Sequence, residues 1–462
     1  MGFIKKYNQE ITLGLFCVGI VLYGLGLSGF GKSFSTQTFF HIGGLLFVIY
    51  NYRLFSKSVW RILAIPIVIG VFLTILSFFY LFDEIQKVTF FAVIKDIQSS
   101  VVRYGLLFLS TFFFVLYASK RLVLFLCFFI YFICMIDIVG IVYMWIVFEE
   151  NVIFFFGAIF VYNIWLILPI AMNIAGIWWA KGRVKFVFFL GLTLSAYAMV
   201  IVAERSIMLA TLIMLLAPFF VWHYKYKSQI LLAVLFGGIL LMVGFYHISK
   251  DLSGRYNFAH MIDNFTTIWN AKPIEMGQYD MICFGNGWFQ CAPESLALGK
   301  NELTWEHSSL SRIAMGKSAL LAVRDNFFKP HFTSLTTTGL YLHKYYEMHT
   351  RDNRVYCGEE QGWNGYSHIH STWIGLLLAY GILGFSAICF FVFFLLYSSM
   401  RQFKSLDKMC RNTSLAMFLM VCGICMQSFF DNIYTVTMQP LWIFFGVLVG
   451  LGWRDENPTN NQ

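Results

Sequence analysis

The chain has 462 residues, of which 59% are hydrophobic and only 12% charged. A soluble domain carries about a quarter charged residues, and one core cannot bury this much apolar side chain, so a soluble globular fold is excluded and the surplus must face lipid. The net charge of +9 does not indicate a nucleic-acid binder, because the basic residues stand at the ends of apolar segments instead of on one polar domain.

Lys5 and Lys6 precede a first apolar segment near 11–30. No Ala-x-Ala-like cleavage site follows and further segments do, so it reads as an uncleaved helix rather than a signal peptide. Apolar segments of bilayer-crossing character recur near 37–51, 62–82, 101–118, 122–148, 157–180, 186–203, 206–222 and 229–246. The stretch from Leu122 to Ala180 is nearly continuous, and Glu149, Glu150 and Asn151 divide it. Polar residues then dominate 248–368, and the remaining apolar segments lie near 373–397, 414–430 and 439–452. The fold expected is an all-α polytopic membrane protein with about 12 transmembrane helices. They fall in 1–247 and in 369–462, the latter with a short tail, and flank a large loop region at 248–368 that contains short helices.

Orientation follows from the basic residues, which accumulate on cytoplasmic connections. With the N-terminus in the cytoplasm, the cytoplasmic set is Arg53, Lys57 and Arg61; Lys120 and Arg121; Lys181, Arg183 and Lys185; Lys225 and Lys227; and Arg401, Lys404, Lys408 and Arg411. The opposite connections hold Lys32, Lys87, Lys95, Arg103 and Arg205, together with acidic Glu149, Glu150 and Asp431. An even number of spans leaves both termini inside and puts 248–368 outside.

Within that loop, Ser308 to Phe328 carries Leu310, Ile313, Leu320, Val323 and Phe327 at helical spacings, with Arg312, Lys317 and Arg324 among the polar remainder. This predicts an amphipathic helix, lying on the bilayer or over the bundle mouth, or packed on other loop residues. Of ten cysteines, Cys283, Cys291 and Cys357 fall in the loop, where an oxidising compartment would permit one disulfide and leave one thiol. The pair Cys422 and Cys425 sits in an apolar run with no second pair to complete a zinc site.

Ionisable groups inside spans ask for an explanation. Asp137 and His41 read either as functional groups or as hydrogen-bond partners within the bundle. Arg205, in the tight break Ala203-Glu204-Arg205-Ser206, either snorkels to headgroups or acts as an anion clamp, since a guanidinium matches phosphate oxygens bidentately. Beyond 229–246 come Ser253-Gly254-Arg255, then Trp269, Pro273 and Gly285-Asn286-Gly287. The loop ends in His368-Ile369-His370-Ser371-Thr372-Trp373, followed by Gly381-Ile382-Leu383-Gly384. A histidine where a polar loop re-enters the membrane suits a general base near neutral pH. A His-x-His pair could ligate metal, but further ligands at recognisable spacing are missing, so no metal site is expected.

Taken in order, these residues resemble the O-antigen ligase and polymerase superfamily of bacterial membrane glycosyltransferases. Glu204-Arg205-Ser206 is similar to that family's Ser-Arg-Gly-type break. Arg255 with Trp269, Pro273 and Gly285-Asn286-Gly287 resembles its Arg…Trp…Pro…Gly-x-Gly stretch, and His370-Ser371-Thr372-Trp373-Ile374 with Gly381 and Gly384 resembles its His-Asn-x-x-Leu…Gly-x-x-Gly. Glu204, Ser206 and Ser371 depart from the usual Ser, Gly and Asn. The resemblance covers about half the chain.

It implies transfer of a glycan from undecaprenyl diphosphate, without metal or other cofactor, on the periplasmic face of the bacterial inner membrane. Arg205 and Arg255 would hold the diphosphate, and His370 would be the base, with His368 as the alternative. The expected partners are the lipid-linked glycan donor, lipid A–core as acceptor and the bilayer, with no nucleic acid. The absence of Asp-x-Asp from the sequence agrees with a metal-free reaction. A polymerase acting on a second lipid-linked repeat and a protein-O-glycosylating enzyme are the alternatives within the superfamily, and the single long loop favours the ligase over the polymerase. A flippase or other transporter is the alternative of another class, which would call for a charged mid-membrane path and repeat symmetry.

Overall fold

The computed structural model describes residues 6–24, 34–55, 57–82, 88–148, 159–202, 205–221, most of 316–331, 371–404, 408–430 and 439–454, with scattered positions between 228 and 302. Within these the chain is a bundle of apolar helices: α1 (Asn8–Gly24), α2 (Phe34–Asn51), α3 (Lys57–Ser77), α4 (Phe90–Ile97), α5 (Arg103–Tyr117), α6 (Lys120–Phe148), α7 (Ile159–Trp179), α8 (Arg183–Val202), α9 (Arg205–Val221), α10 (Thr372–Met400), α11 (Lys408–Gln427) and α12 (Gln439–Trp453). The loop region adds β1 (Ala297–Leu298) and β2 (Asn301–Glu302), paired antiparallel. Each apolar segment read from the sequence falls on one of these helices except 229–246, which is helical at the positions described.

Among the described residues, five stretches are long and apolar enough to cross a membrane: Val59–Phe82, Phe90–Tyr117, Lys120–Phe148, Arg183–Val202 and Thr372–Phe403. Their outward faces carry large apolar side chains, Phe91 at 82% exposure and Phe393 at 68% among them, which only a lipid surround makes inexpensive. This is an all-α membrane protein.

One boundary differs from the sequence expectation. The segment placed near 101–118 begins at Phe90, because α4 runs through a π-helical turn (Gln98–Val102) into α5. Lys95, Asp96, Gln98, Ser99 and Ser100 lower the apolar signal there. They are accommodated by Thr89 capping Ala92 N and by both serine hydroxyls donating to the Asp96 carbonyl, at 3.0 and 2.6 Å. A π turn leaves main-chain carbonyls without their usual partner, and these hydroxyls supply one.

Aromatic packing fills the interior. Phe16 stacks on Phe40 at 5.0 Å, and Phe114 meets Phe16 and Phe47 edge-on. Against α5, α12 comes close enough that a Cβ on Gly450 would lie 2.9 Å from Val115 Cβ and 3.0 Å from Phe112 O, while one on Gly446 would strike Thr111 and Phe108. Small residues spaced by four let membrane helices approach in this way. Thr111 Oγ1 donates across the contact to Ile443 O at 3.1 Å.

The bundle has a basic end. There Asn51 Nδ2 donates to Asn8 Oδ1, Arg454 donates to the Val115 and Ala118 carbonyls that close α5, and Arg401 lies 3.7 Å from the centroid of the Trp453 ring. Arg411 stacks on Trp179 at 4.0 Å. Cations at helix C-termini offset the macrodipole and satisfy the last carbonyls.

At the opposite end, α10 is interrupted. Gly381 has φ 61° and ψ −178°, a conformation essentially restricted to glycine. Into the break docks the loop segment 327–331, with Ile382 N donating to Phe327 O and His331 N to Leu378 O, both at 3.1 Å. Ahead of that segment, 316–325 is helical at the described positions and packs on α10 through Ala319, Ala322 and Val323 against Leu378. Of the apolar positions expected on this amphipathic helix, Val323 is buried and Leu310 and Ile313 lie outside the described residues. Leu320 and Phe327 are 38% and 42% exposed, and the two alanines permit the close approach to α10.

Candidate functional site

The end opposite the basic one gathers the first turns of α9 and α10 around the last turn of α11. Ser371 caps α10, accepting from Ile374 N at 3.4 Å. Thr372 N donates to Ser428 O at 2.8 Å, and Trp373 Nε1 donates to Cys425 O at 2.9 Å. The start of α10 is therefore pinned to the end of α11 through main chain on both sides. On the other flank of α11, a Cβ on Gly423 would sit 2.9 Å from Met214 Sδ of α9. From that crossing, about 13 Å of α9 leads to Arg205 and about 8 Å of α11 leads to Ser428. Both run toward the same end.

Of the residues predicted from the sequence, Arg205 is the first residue of α9, where the break after Val202 was expected, and Ser206 is buried. Arg255, His368 and His370 lie outside the described residues, as do Glu204 and Cys283, Cys291 and Cys357. His370 immediately precedes the pinned cap Ser371. The structure thus brings the Arg205 backbone and the chain following His370 to one end of the bundle.

From this end an apolar cleft of about 370 Å³ runs down between α3, α5, α10, α11 and α12. Thr372, Trp373 and Ser428 line it at this end, and Phe391 and Leu395 line it farther along α10. The α10 residues that line it extend from Thr372 to Leu395, about 35 Å of helix, comparable with the roughly 30 Å of a bilayer core. Its few polar lining groups include Thr74, Ser100 and Tyr104, the latter two on and just after the π turn. Tyr104 stacks almost parallel on Trp442, 5.8 Å between centroids.

No family model matches the chain, and no curated protein matches it.

The two intramembrane groups singled out earlier are not among the residues that line the cleft. Asp137 of α6 is 6% exposed, and among the described residues its Oδ1 has no hydrogen-bond partner. Nearby on the same helix, Tyr131 donates to Asn173 Oδ1 at 2.7 Å. His41 of α2 sits against the Arg103 backbone. Cys422 and Cys425 are free thiols within α11. Sequence reasoning missed the π turn and the cleft. The polar run Gln98-Ser99-Ser100 inside an otherwise apolar stretch was the available signal for the first, whereas the cleft is assembled from helices far apart in sequence and left none.

Proposed function

We propose that the protein is a metal-independent membrane glycosyltransferase that moves a glycan from undecaprenyl diphosphate to lipid A–core oligosaccharide on the periplasmic face of the bacterial inner membrane. The cleft carries this reading. Its lining includes Thr372, two residues after His370, and its α10 wall continues from there to Leu395. A donor with an isoprenoid tail and a diphosphate head needs such a combination, a lipid-lined channel below a polar end that bears cations. The proposal includes about twelve crossings, both termini in the cytoplasm, and the loop region 248–368 on the periplasmic side, following the distribution of basic residues.

In the reaction, the bond between the anomeric carbon and the diphosphate oxygen breaks, and its electron pair leaves with the diphosphate. Arg205 and Arg255 stabilise that growing charge with fixed, bidentate donors. The acceptor hydroxyl oxygen forms the new glycosidic bond, and its proton passes to His370, or to His368 as the alternative base. The cap at Ser371 and the bonds from Thr372 and Trp373 to α11 support an α10 entry held firmly enough to position such a base.

The test is transfer by purified protein in a defined bilayer, with undecaprenyl-diphosphate glycan, lipid A–core and EDTA. Glycosylated lipid A–core is expected to form despite the chelator. A requirement for added metal would overturn the arginine mechanism. Formation of only longer lipid-linked chains would make the enzyme a polymerase, and donor crossing the bilayer without any transfer would make it a flippase.

A further inference from the structure

Glycine inside a helix costs about 0.5–1 kcal/mol relative to alanine, a cost offset by close packing at several positions here. A Cβ on Gly44 would strike Ser110, one on Gly176 would strike Phe188, and one on Gly191 would lie 2.6 Å from Asn173 Oδ1. Gly70 of α3 and Gly105 of α5 have no reason of this kind. Neither is among the positive-φ glycines. A Cβ on Gly105 would meet nothing within 4 Å, and one on Gly70 would meet only Val101 Cγ1, at an ordinary 3.7 Å. Both glycines line the apolar cleft. They also stand close together, since Val101 is about one helical turn from Gly105.

Beside them the cleft is walled by aromatic rings. Tyr104, next to Gly105, stacks on Trp442 of α12, and Trp442 stacks in turn on Phe391 of α10, 5.6 Å between centroids. Phe108 meets Phe391 edge-on. All four rings line the cleft, and rings locked against one another have no room to turn aside for a guest. Width at this level is therefore set by what α3 and α5 leave out. A straight polymethylene chain needs little of that room. A polyisoprenyl chain carries a methyl branch on every repeat, and its alkene carbons pack on aromatic rings. We propose that Gly70 and Gly105 set the bore of the cleft for a methyl-branched polyisoprenyl chain, as specificity-determining positions for the lipid of the donor. This rests on the glycosyltransferase reading and adds where its donor is told apart from straight acyl chains.

Full-length protein in nanodiscs tests it. Wild type and Gly105→Phe are compared with Gly14→Phe, a control on α1 where a Cβ also meets nothing within 4 Å but does not line the cleft. Gly105→Leu repeats the comparison with a smaller plug should phenylalanine lower Tm. Native mass spectrometry reads binding of undecaprenyl diphosphate and of a saturated straight-chain alkyl diphosphate of equal length. Transfer kinetics give KM for the same glycan carried on each lipid. Gly105→Phe is expected to weaken polyprenyl binding and raise its KM about tenfold, with the straight chain changed by less than about threefold and Gly14→Phe like wild type. If wild type transfers glycan while both Gly105 variants leave binding and KM for both lipids within about twofold, the bore is wrong and the transferase reading stands. An equal or larger loss for the straight chain also overturns the proposal, because the glycines then give space without favouring branched chains. If wild type transfers nothing yet binds polyprenyl diphosphate in a Gly105-dependent way, the bore stands and the transferase reading falls.

Discussion

Replacing Gly381 with alanine puts two of the bundle's features in conflict. At φ 61° and ψ −178° any residue with a Cβ is strained by about 1–3 kcal/mol, and the new methyl would stand 2.8 Å from Phe328 O. That oxygen is main chain, so no side-chain rotation relieves the contact. The alternative is to release the docked segment and lose the bonds from Ile382 N to Phe327 O and from His331 N to Leu378 O. Each contributes about 0.5–1.5 kcal/mol net, so release costs about 1–3 kcal/mol as well. Either route makes opening of segment 327–331 easier by about 5- to 150-fold. Hydrogen exchange on peptides covering 327–331 and 378–382, from protein in nanodiscs, reads this directly. A control is Gly375→Ala, where the added Cβ meets nothing within 4 Å and exchange should stay as in wild type or slow slightly. Unchanged protection of both peptides in G381A would refute the docking argument.

Other perturbations probe the rest of the molecule. Gly446→Leu forces apart the helices at Thr111 and Phe108 and should cost about 1–3 kcal/mol or more, seen as a lower Tm in detergent. Gly105→Leu, where a Cβ meets nothing within 4 Å, should leave Tm nearly unchanged. Arg454→Ala removes the donors to Val115 O and Ala118 O and should lower stability by about 1.5–3 kcal/mol; Arg454→Lys should recover only part of it, since one ammonium lacks the planar fork. In the transfer assay His370→Ala should reduce kcat by about 10²- to 10⁴-fold with membrane abundance unchanged, and His368→Ala by less than about tenfold. A reversal of these two would move the base to His368.

Helix positions were legible because an apolar run flanked by Lys, Arg or Glu has few other readings in a chain this hydrophobic. The break before Arg205 and the start of α10 at Ser371 were legible for the same reason: polar residues interrupt apolar ones. The Gly381 and Gly384 pair was visible as a pattern, but its meaning was not. A positive φ at Gly381 depends on a loop segment some fifty residues earlier, and a Cβ on Gly384 would strike Tyr380 Cβ and lie 2.9 Å from Leu76 Cδ1 of α3. The loop helix misled in a specific way. Counting large apolar residues pointed to Val323, which is buried, and equally to Leu320 and Phe327, which are not, whereas Ala319 and Ala322, nearly silent on a hydrophobicity scale, share the contact with Val323. For the candidate site, sequence order suggested Arg205 and His370 as partners. That α11 stands between their helices and fixes one of them comes from tertiary packing alone.

The intimacy of α5 and α12 has a bearing on how the chain is made. Thr111 and its acceptor Ile443 are 332 positions apart, so α5 must sit in the bilayer while the intervening chain is synthesised. It can wait because Thr111 Oγ1 also lies within reach of Leu107 O and Phe108 O of its own helix, at 3.1 and 3.2 Å. The hydroxyl is satisfied before its distant partner exists, and no polar group is left bare in hydrocarbon in the meantime. Insertion and assembly are thereby separable events for this helix, and its contact with the glycine face of α12 forms only when α12 arrives.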